Sequence, residues 1–227
     1  MNPVVAIRWT RTLPAHTLAR AAVAQWMGLD ETVVVVRNDC VSCGGRDHGR
    51  PSVERIAGAP PPPHLSLTHP RGLAMVALTG AGPVGIDCEP VGAGLLEGFD
   101  DVALAPTEAR SLRRWGPAIR SAGRLRYWVR KEAVLKATGL GLATDPREVV
   151  VSGWREPARV LRDPAGGDPA QWRLWDVDPC PGYLGAVAVR SRSAGPLEVA
   201  GPLGVAAEVL LVAATGNGGS AASNSQV

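Results

Sequence analysis

The sequence predicts an α+β fold built as two similar α/β halves, and three observations lead there. A series of one helix and several short strands over residues 1–84 is followed by a second series of helices and strands over 85–200. The chain has 227 residues, enough for one large domain or two small ones with a core that needs no disulfide staples. From residue 201 the character changes, because 205–214 is apolar but interrupted by Glu208 and 216–227 is small and polar. That tail, 201–227, stands apart, and its last dozen residues are expected to be disordered. No internal sequence repeat accompanies the likeness of the halves.

The elements follow in order. Residues 4–9 read as a strand, and 16–27 as a helix with Pro14 before it and Gly28 to end it. The β-branched run 32–37 reads as a strand buried on both faces. Residues 39–63 read as a long loop rich in Cys, Gly and Pro. Strands over 64–68 and 73–79 flank the tight segment Thr68-His69-Pro70-Arg71-Gly72. A further strand, 84–89, is closed by Pro90 and followed by a Gly-rich loop over 92–98. Pro106-Thr107-Glu108 opens a helix through Arg114. A longer helix runs over 120–137, with Gly139 and Gly141 to terminate it. Strands are expected at 149–152, 159–162, 172–177 and 184–189.

Composition narrows the function classes. Apolar residues make up 45% and charged residues 20%, with a net charge of +3, as in a soluble globular protein. The arginines are scattered, without aromatic-basic interleaving or zinc-finger spacing, which argues against a nucleic-acid partner. No apolar run is long enough to span a bilayer. The start does not read as a signal peptide, since residues 1–7 are followed by Arg8 and Arg11, so a cytoplasmic monomer is the expectation. Cys40-Val41-Ser42-Cys43 with His48 resembles half of a zinc site. Structural zinc takes four ligands, and Cys88 and Cys180 are placed in strands, so a reduced pair in a turn is the favoured reading.

Chemistry concentrates in two stretches. Asp87 and Glu89 stand two apart on a strand, so both carboxylates point to one side while Ile86 and Cys88 point to the other. Two acids at a strand end suit magnesium, which is held by one or two carboxylates together with substrate phosphates. The second stretch is Trp128-Val129-Arg130-Lys131-Glu132-Ala133-Val134-Leu135-Lys136, in which Glu132 and Lys136 lie one helical turn apart. Lys131 and Lys136 are the only lysines among 24 basic residues. A compact ammonium suits a phosphate, although an exposed Glu–Lys pair is the plainer alternative. Thr68-His69 between two strands can aim a hydroxyl and an imidazole at an anion, and Gly49-Arg50-Pro51 delivers one cation from a stiff turn.

Together, Val84-Gly85-Ile86-Asp87-Cys88-Glu89 and the Lys131-Glu132 stretch resemble the paired signature of the 4′-phosphopantetheinyl transferases. The length, Thr68-His69, His48-Gly49-Arg50-Pro51 and Gly139-Leu140-Gly141-Leu142 resemble the surfactin-synthetase-activating type, over about residues 16–190. The resemblance implies a pseudo-dimer of two modules with the active site between them. It implies that Asp87, Glu89 and Glu132 hold Mg²⁺, and that Glu132 serves as base toward a serine of an apo acyl or peptidyl carrier protein. Lys136 would neutralise the leaving group, with Lys131 on the same phosphates. Arg50, Thr68 and His69 would grip the 3′-phosphate of coenzyme A, the co-substrate. The sequence departs from the family in a short N-terminal lead-in, with His16 where an arginine is common. The rivals are another magnesium-dependent enzyme that cleaves pyrophosphates, and an inactive module that binds carrier protein or coenzyme A.

Overall fold

The computed structural model describes residues 4–39, 44–45, 49–92, 94–95 and 97–191, and the backbone of 198–200. Two sheets carry the architecture. In the first, β1 (Val4–Thr10) lies between β11 (Glu198–Ala200), which runs parallel to it, and β5 (Ala74–Thr79), which runs antiparallel. The antiparallel strand β4 (His64–Thr68) completes that sheet beyond β5. In the second, β10 (Tyr183–Arg190) lies antiparallel between β6 (Val84–Pro90) and β9 (Trp172–Asp176). The two sheets share a pairing pattern in part, β1-β5-β4 in the first and β6-β10-β9 in the second, while β11 adds a fourth strand to the first.

Period-2 alternation divides each strand between two cores. Val5, Ile7, Met75 and Ala77 of the first sheet join Val84, Ile86, Val187 and Val189 of the second in one apolar layer. The opposite face of the first sheet, through Ala6, Val76 and Leu78, covers α1 (Ala15–Met27). The opposite face of the second, through Ala186 and Ala188, covers α4 (Pro117–Thr138). The order of layers is therefore helix, sheet, sheet, helix. α1 ends at Gly28, whose φ of 66° is open to glycine without a Cβ penalty. α4 begins with Pro117 in its first turn, where the missing N–H costs nothing, and ends at Gly139.

The sequence readings of 64–68, 73–79, 84–89 and the four late strands match the observed elements closely, including β7 (Val150–Val151) paired with β8 (Val160–Arg162). Several readings need correction. The segment 32–37 is not a strand buried on both faces. Its start is a 3-10 turn, Glu31–Val33, held by the Asp30 carboxylate, which accepts the Thr32 N–H at 2.8 Å. The strand that follows, β2 (Val36–Asp39), pairs only with β3 (Arg50–Val53) in a two-stranded ribbon, and β3 lies inside the expected loop. A two-stranded ribbon covers little surface, and Val33 and Val35 stay exposed. Cys180 lies in the turn before β10, not in a strand. α2 (Phe99–Ala103), which the sequence reading did not anticipate, follows the Gly-rich loop directly, and α3 (Pro106–Leu112) ends sooner than Arg114. Cys40, Cys43, His48 and the tail from residue 201 lie outside the described residues. No helix among the described residues is long and apolar enough to cross a membrane.

β6 and α4 touch backbone to backbone at Gly85. A Cβ there would overlap the Ala133 carbonyl oxygen and come within 2.5 Å of the Ala137 nitrogen. Gly85→Ala is expected to destabilise the fold by about 3 kcal/mol or more, because backbone cannot yield as a side-chain tip does. Gly80→Ala, where the space is open, should stay within about 0.5 kcal/mol of wild type in the same urea titration.

Candidate active site

The contact at Gly85 sets the register of β6 against α4 and brings their polar residues together. Gly85, Asp87 and Glu89 share the face of β6 turned toward α4, since the alternating Val84, Ile86 and Cys88 lie in the inter-sheet core. Asp87 is 4% exposed. Its Oδ1 accepts the Lys136 ammonium at 2.7 Å and the Thr68 hydroxyl at 3.3 Å. Lys136 Nζ also donates to the Ile86 carbonyl at 3.2 Å. A cation in the last turn of α4 further complements the helix dipole.

Two carboxylate oxygens in this cluster are buried without a hydrogen-bond partner, Asp87 Oδ2 and Glu132 Oε1. Such orphaned acceptors are rare in folded proteins, because each forfeits its hydration. Burial pushes the Glu132 carboxyl up to about 7; the Asp87 and Glu89 charges add to the rise, and Lys136 opposes it. Burial also raises Glu89, with Asp87 repelling and Lys136 offsetting. The three acids thus feel one another around one ammonium. Among the described residues no three His, Cys, Asp or Glu side chains are spaced to enclose a metal ion. The donor set still fits a hard divalent cation, because all donors are carboxylate oxygens and two of them are desolvated and unpaired.

Lys136 also lines a cleft of about 270 Å³ between the end of α4 and the ribbon of β2 and β3. Arg50 stands across it, half-buried, with its side chain 3.5 Å from where a Cβ on Gly139 would lie. Burial draws the Arg50 pKa down. Among the described residues its guanidinium makes no ion pair or hydrogen bond. His69 is exposed past the end of β4 and does not line the cleft, and neither does Thr68.

The reading of Lys131 as a phosphate ligand is corrected by its placement. Its side chain is 0% exposed. Its Nζ is used by Glu108 Oε2 at 2.6 Å and by the carbonyls of Val149 and Pro146 at 2.8 and 3.0 Å. Position 131 is rotated about 100° from 132 around the helix, and that rotation takes it away from Asp87. Glu108 is the residue the sequence reading passed over. It binds the Ala105 N–H at 2.8 Å and the Val151 N–H at 3.0 Å, tying α3 and β7 to α4. The signal was a Glu three residues past the start of a helix, where it caps the free N–H groups. Arg130, also 0% exposed, grips Asp176 with Nε at 2.8 Å and Nη2 at 2.7 Å.

The part of the chain that carries this cluster matches a family model. Residues 83–188, just under half of the chain, match the sequence model of the 4′-phosphopantetheinyl transferase superfamily. The chain is 32% identical over 126 residues to the 4′-phosphopantetheinyl transferase HetI of Nostoc sp. (strain PCC 7120). That match covers 55% of this chain and 51% of the relative, so the chain spans about half the length of the curated protein it matches. Both findings are likenesses to that superfamily over part of the chain. The stretch matched by the superfamily model carries Asp87, Glu89, Glu132 and Lys136, whereas Arg50, Thr68 and His69 lie upstream of it.

Two outcomes follow from this arrangement. Below pH 4.5 the folded and unfolded chains both carry the Glu132 proton. Between 4.5 and about 7 only the folded chain keeps it, so rising pH removes stability, roughly 3 kcal/mol in all by pH 8. Glu132→Gln should flatten this fall, seen as a smaller drop in urea midpoint between pH 5 and pH 8 than in wild type. Lys131→Met should cost about 3–5 kcal/mol in the same titration, because it strands the buried Glu108 carboxylate.

Proposed function

We propose that the protein is a magnesium-dependent 4′-phosphopantetheinyl transferase of the two-module, surfactin-synthetase-activating type. It moves the phosphopantetheine arm of coenzyme A to a serine of an apo acyl or peptidyl carrier protein and releases 3′,5′-ADP. The observation that carries this reading is the junction of β6 and α4. There Lys136 bridges a carboxylate cluster with two buried, unpartnered oxygens to a cleft that Arg50 also faces. The shared pairing of β1-β5-β4 and β6-β10-β9 supports the two-module reading with halves 1–84 and 85–200, β11 of the second half adding to the first sheet.

Asp87, Glu89 and Glu132 would hold Mg²⁺, which supplies neutralising charge to the pyrophosphate when bound. Arg50 and Lys136 bind and orient the phosphates of coenzyme A from opposite sides of the cleft. Glu132 accepts the proton of the carrier serine. In the metal-free protein burial raises its carboxyl to about 7, in the range suited to a general base. The serine oxygen then bonds to the phosphorus that bears the pantetheine arm, and the bond from that phosphorus to the oxygen of the ADP moiety breaks. Lys136 neutralises the charge on the departing phosphate. Positioning and charge neutralisation carry most of the rate in such transfers.

Incubation with apo carrier protein, coenzyme A and MgCl₂ should add the mass of one phosphopantetheine arm to a single serine. Asp87→Ala and Glu132→Ala should abolish the gain while their circular dichroism stays that of wild type. Turnover close to wild type in either variant refutes the role assigned to that carboxylate. Chelation of divalent metal with EDTA should stop the reaction, and added MgCl₂ should restore it.

A further inference from the structure

Two edge strands, β4 of the first sheet and β6 of the second, meet through hydroxyl groups rather than through a ladder. Ser66 Oγ accepts the Ile86 N–H at 3.1 Å, and two residues on the Thr68 hydroxyl reaches Asp87 Oδ1 at 3.3 Å. Thr68 is 6% exposed, and the cleft is lined by Leu65, Ser66 and Leu67 but not by Thr68. A threonine hydroxyl has a single proton to give. Here that proton faces the carboxylate, which leaves none to donate to a phosphate.

Asp87 is thereby treated unequally. Its Oδ1 takes both Lys136 and Thr68, while its Oδ2 is buried with no partner. Two donors on one oxygen, from two different elements, resist rotation of the carboxylate about its Cβ–Cγ bond. We propose that Thr68 is a positioning residue which locks Asp87 with Oδ2 presented to the divalent cation, and that it does not contact the phosphates of coenzyme A. This rests on the cation reading above and deepens it, because it moves Thr68 from the coenzyme to the metal ligand. Partners that orient a metal-binding carboxylate commonly change metal affinity by about 10- to 100-fold.

The test compares Thr68→Val, which keeps the β-branched shape suited to a strand but lacks the hydroxyl, with Thr68→Ser, which keeps the hydroxyl. Mn²⁺ alone is titrated by electron paramagnetic resonance, and coenzyme A alone by calorimetry in the presence of chelator. The expected result is Mn²⁺ binding weakened about tenfold or more in Thr68→Val and within about twofold of wild type in Thr68→Ser. Coenzyme A affinity stays within about twofold of wild type in both. Mn²⁺ affinity unchanged in Thr68→Val overturns the proposal alone, as does a tenfold loss of coenzyme A affinity in that variant. A wild-type protein that binds no Mn²⁺ overturns both this proposal and the cation reading. Loss of Mn²⁺ binding in Thr68→Ser as large as in Thr68→Val also overturns it, since packing rather than the hydroxyl would then be responsible.

Discussion

The close approach of β6 and α4 at Gly85 is the constraint on which the site depends. Only a residue without a side chain lets the Ala133 and Ala137 backbone come so near the strand. With the helix at that distance, Lys136 reaches both the Ile86 carbonyl and the Asp87 carboxylate. The rotation of α4 about its own axis is fixed from its other faces. Arg126 binds Asp178 with both guanidinium arms, Arg130 binds Asp176, and Lys131 binds Glu108. Three basic residues of one helix are thus committed to structure, and they hold Glu132 and Lys136 at the junction with β6.

That division explains an unusual concentration of buried charge. Removing an ammonium or a guanidinium from water is costly unless every donor finds an acceptor. Lys131 meets the condition with one carboxylate and two carbonyls, and Arg130 meets it with Asp176 and the carbonyls of Ser152, Gly153 and Glu156. The acids at the junction of β6 and α4 do not meet it. Asp87 and Glu132 each keep an oxygen without a partner, and Glu132 responds by holding its proton to about pH 7. Lys131 and Arg130 are thus fully satisfied in the interior, whereas the carboxylates around Lys136 keep two unpaired oxygens, the kind of group that a ligand satisfies.

Much of the fold was legible because local periodicity and burial agreed. The alternation in 84–89 sorted Asp87 and Glu89 from Ile86 and Cys88 correctly, since one face of that strand is core. The stop of α4 at Gly139 followed from helix formers running up to a glycine, whereas its start lies at Pro117, ahead of the expected 120. The run 32–37 misled because β-branched residues report a tendency toward extended backbone, not the number of neighbouring strands. Asp30 capping a 3-10 turn and the ribbon formed with β3 are both decided by partners that local sequence does not name.

By itself, the sequence determined which residue types could do phosphate chemistry and which pairs share a face, because strand and helix periods are properties of the backbone. It placed Asp87 beside Glu89 and Glu132 beside Lys136. Only the tertiary structure decided which of two neighbouring lysines faces the site. A rotation of 100° and one buried glutamate, Glu108, sent Lys131 into the interior and left Lys136 on Asp87. It also turned the Thr68 hydroxyl toward Asp87 instead of the cleft. Such choices rest on contacts between elements far apart in the chain, and no local pattern encodes the direction in which a side chain will find its partner.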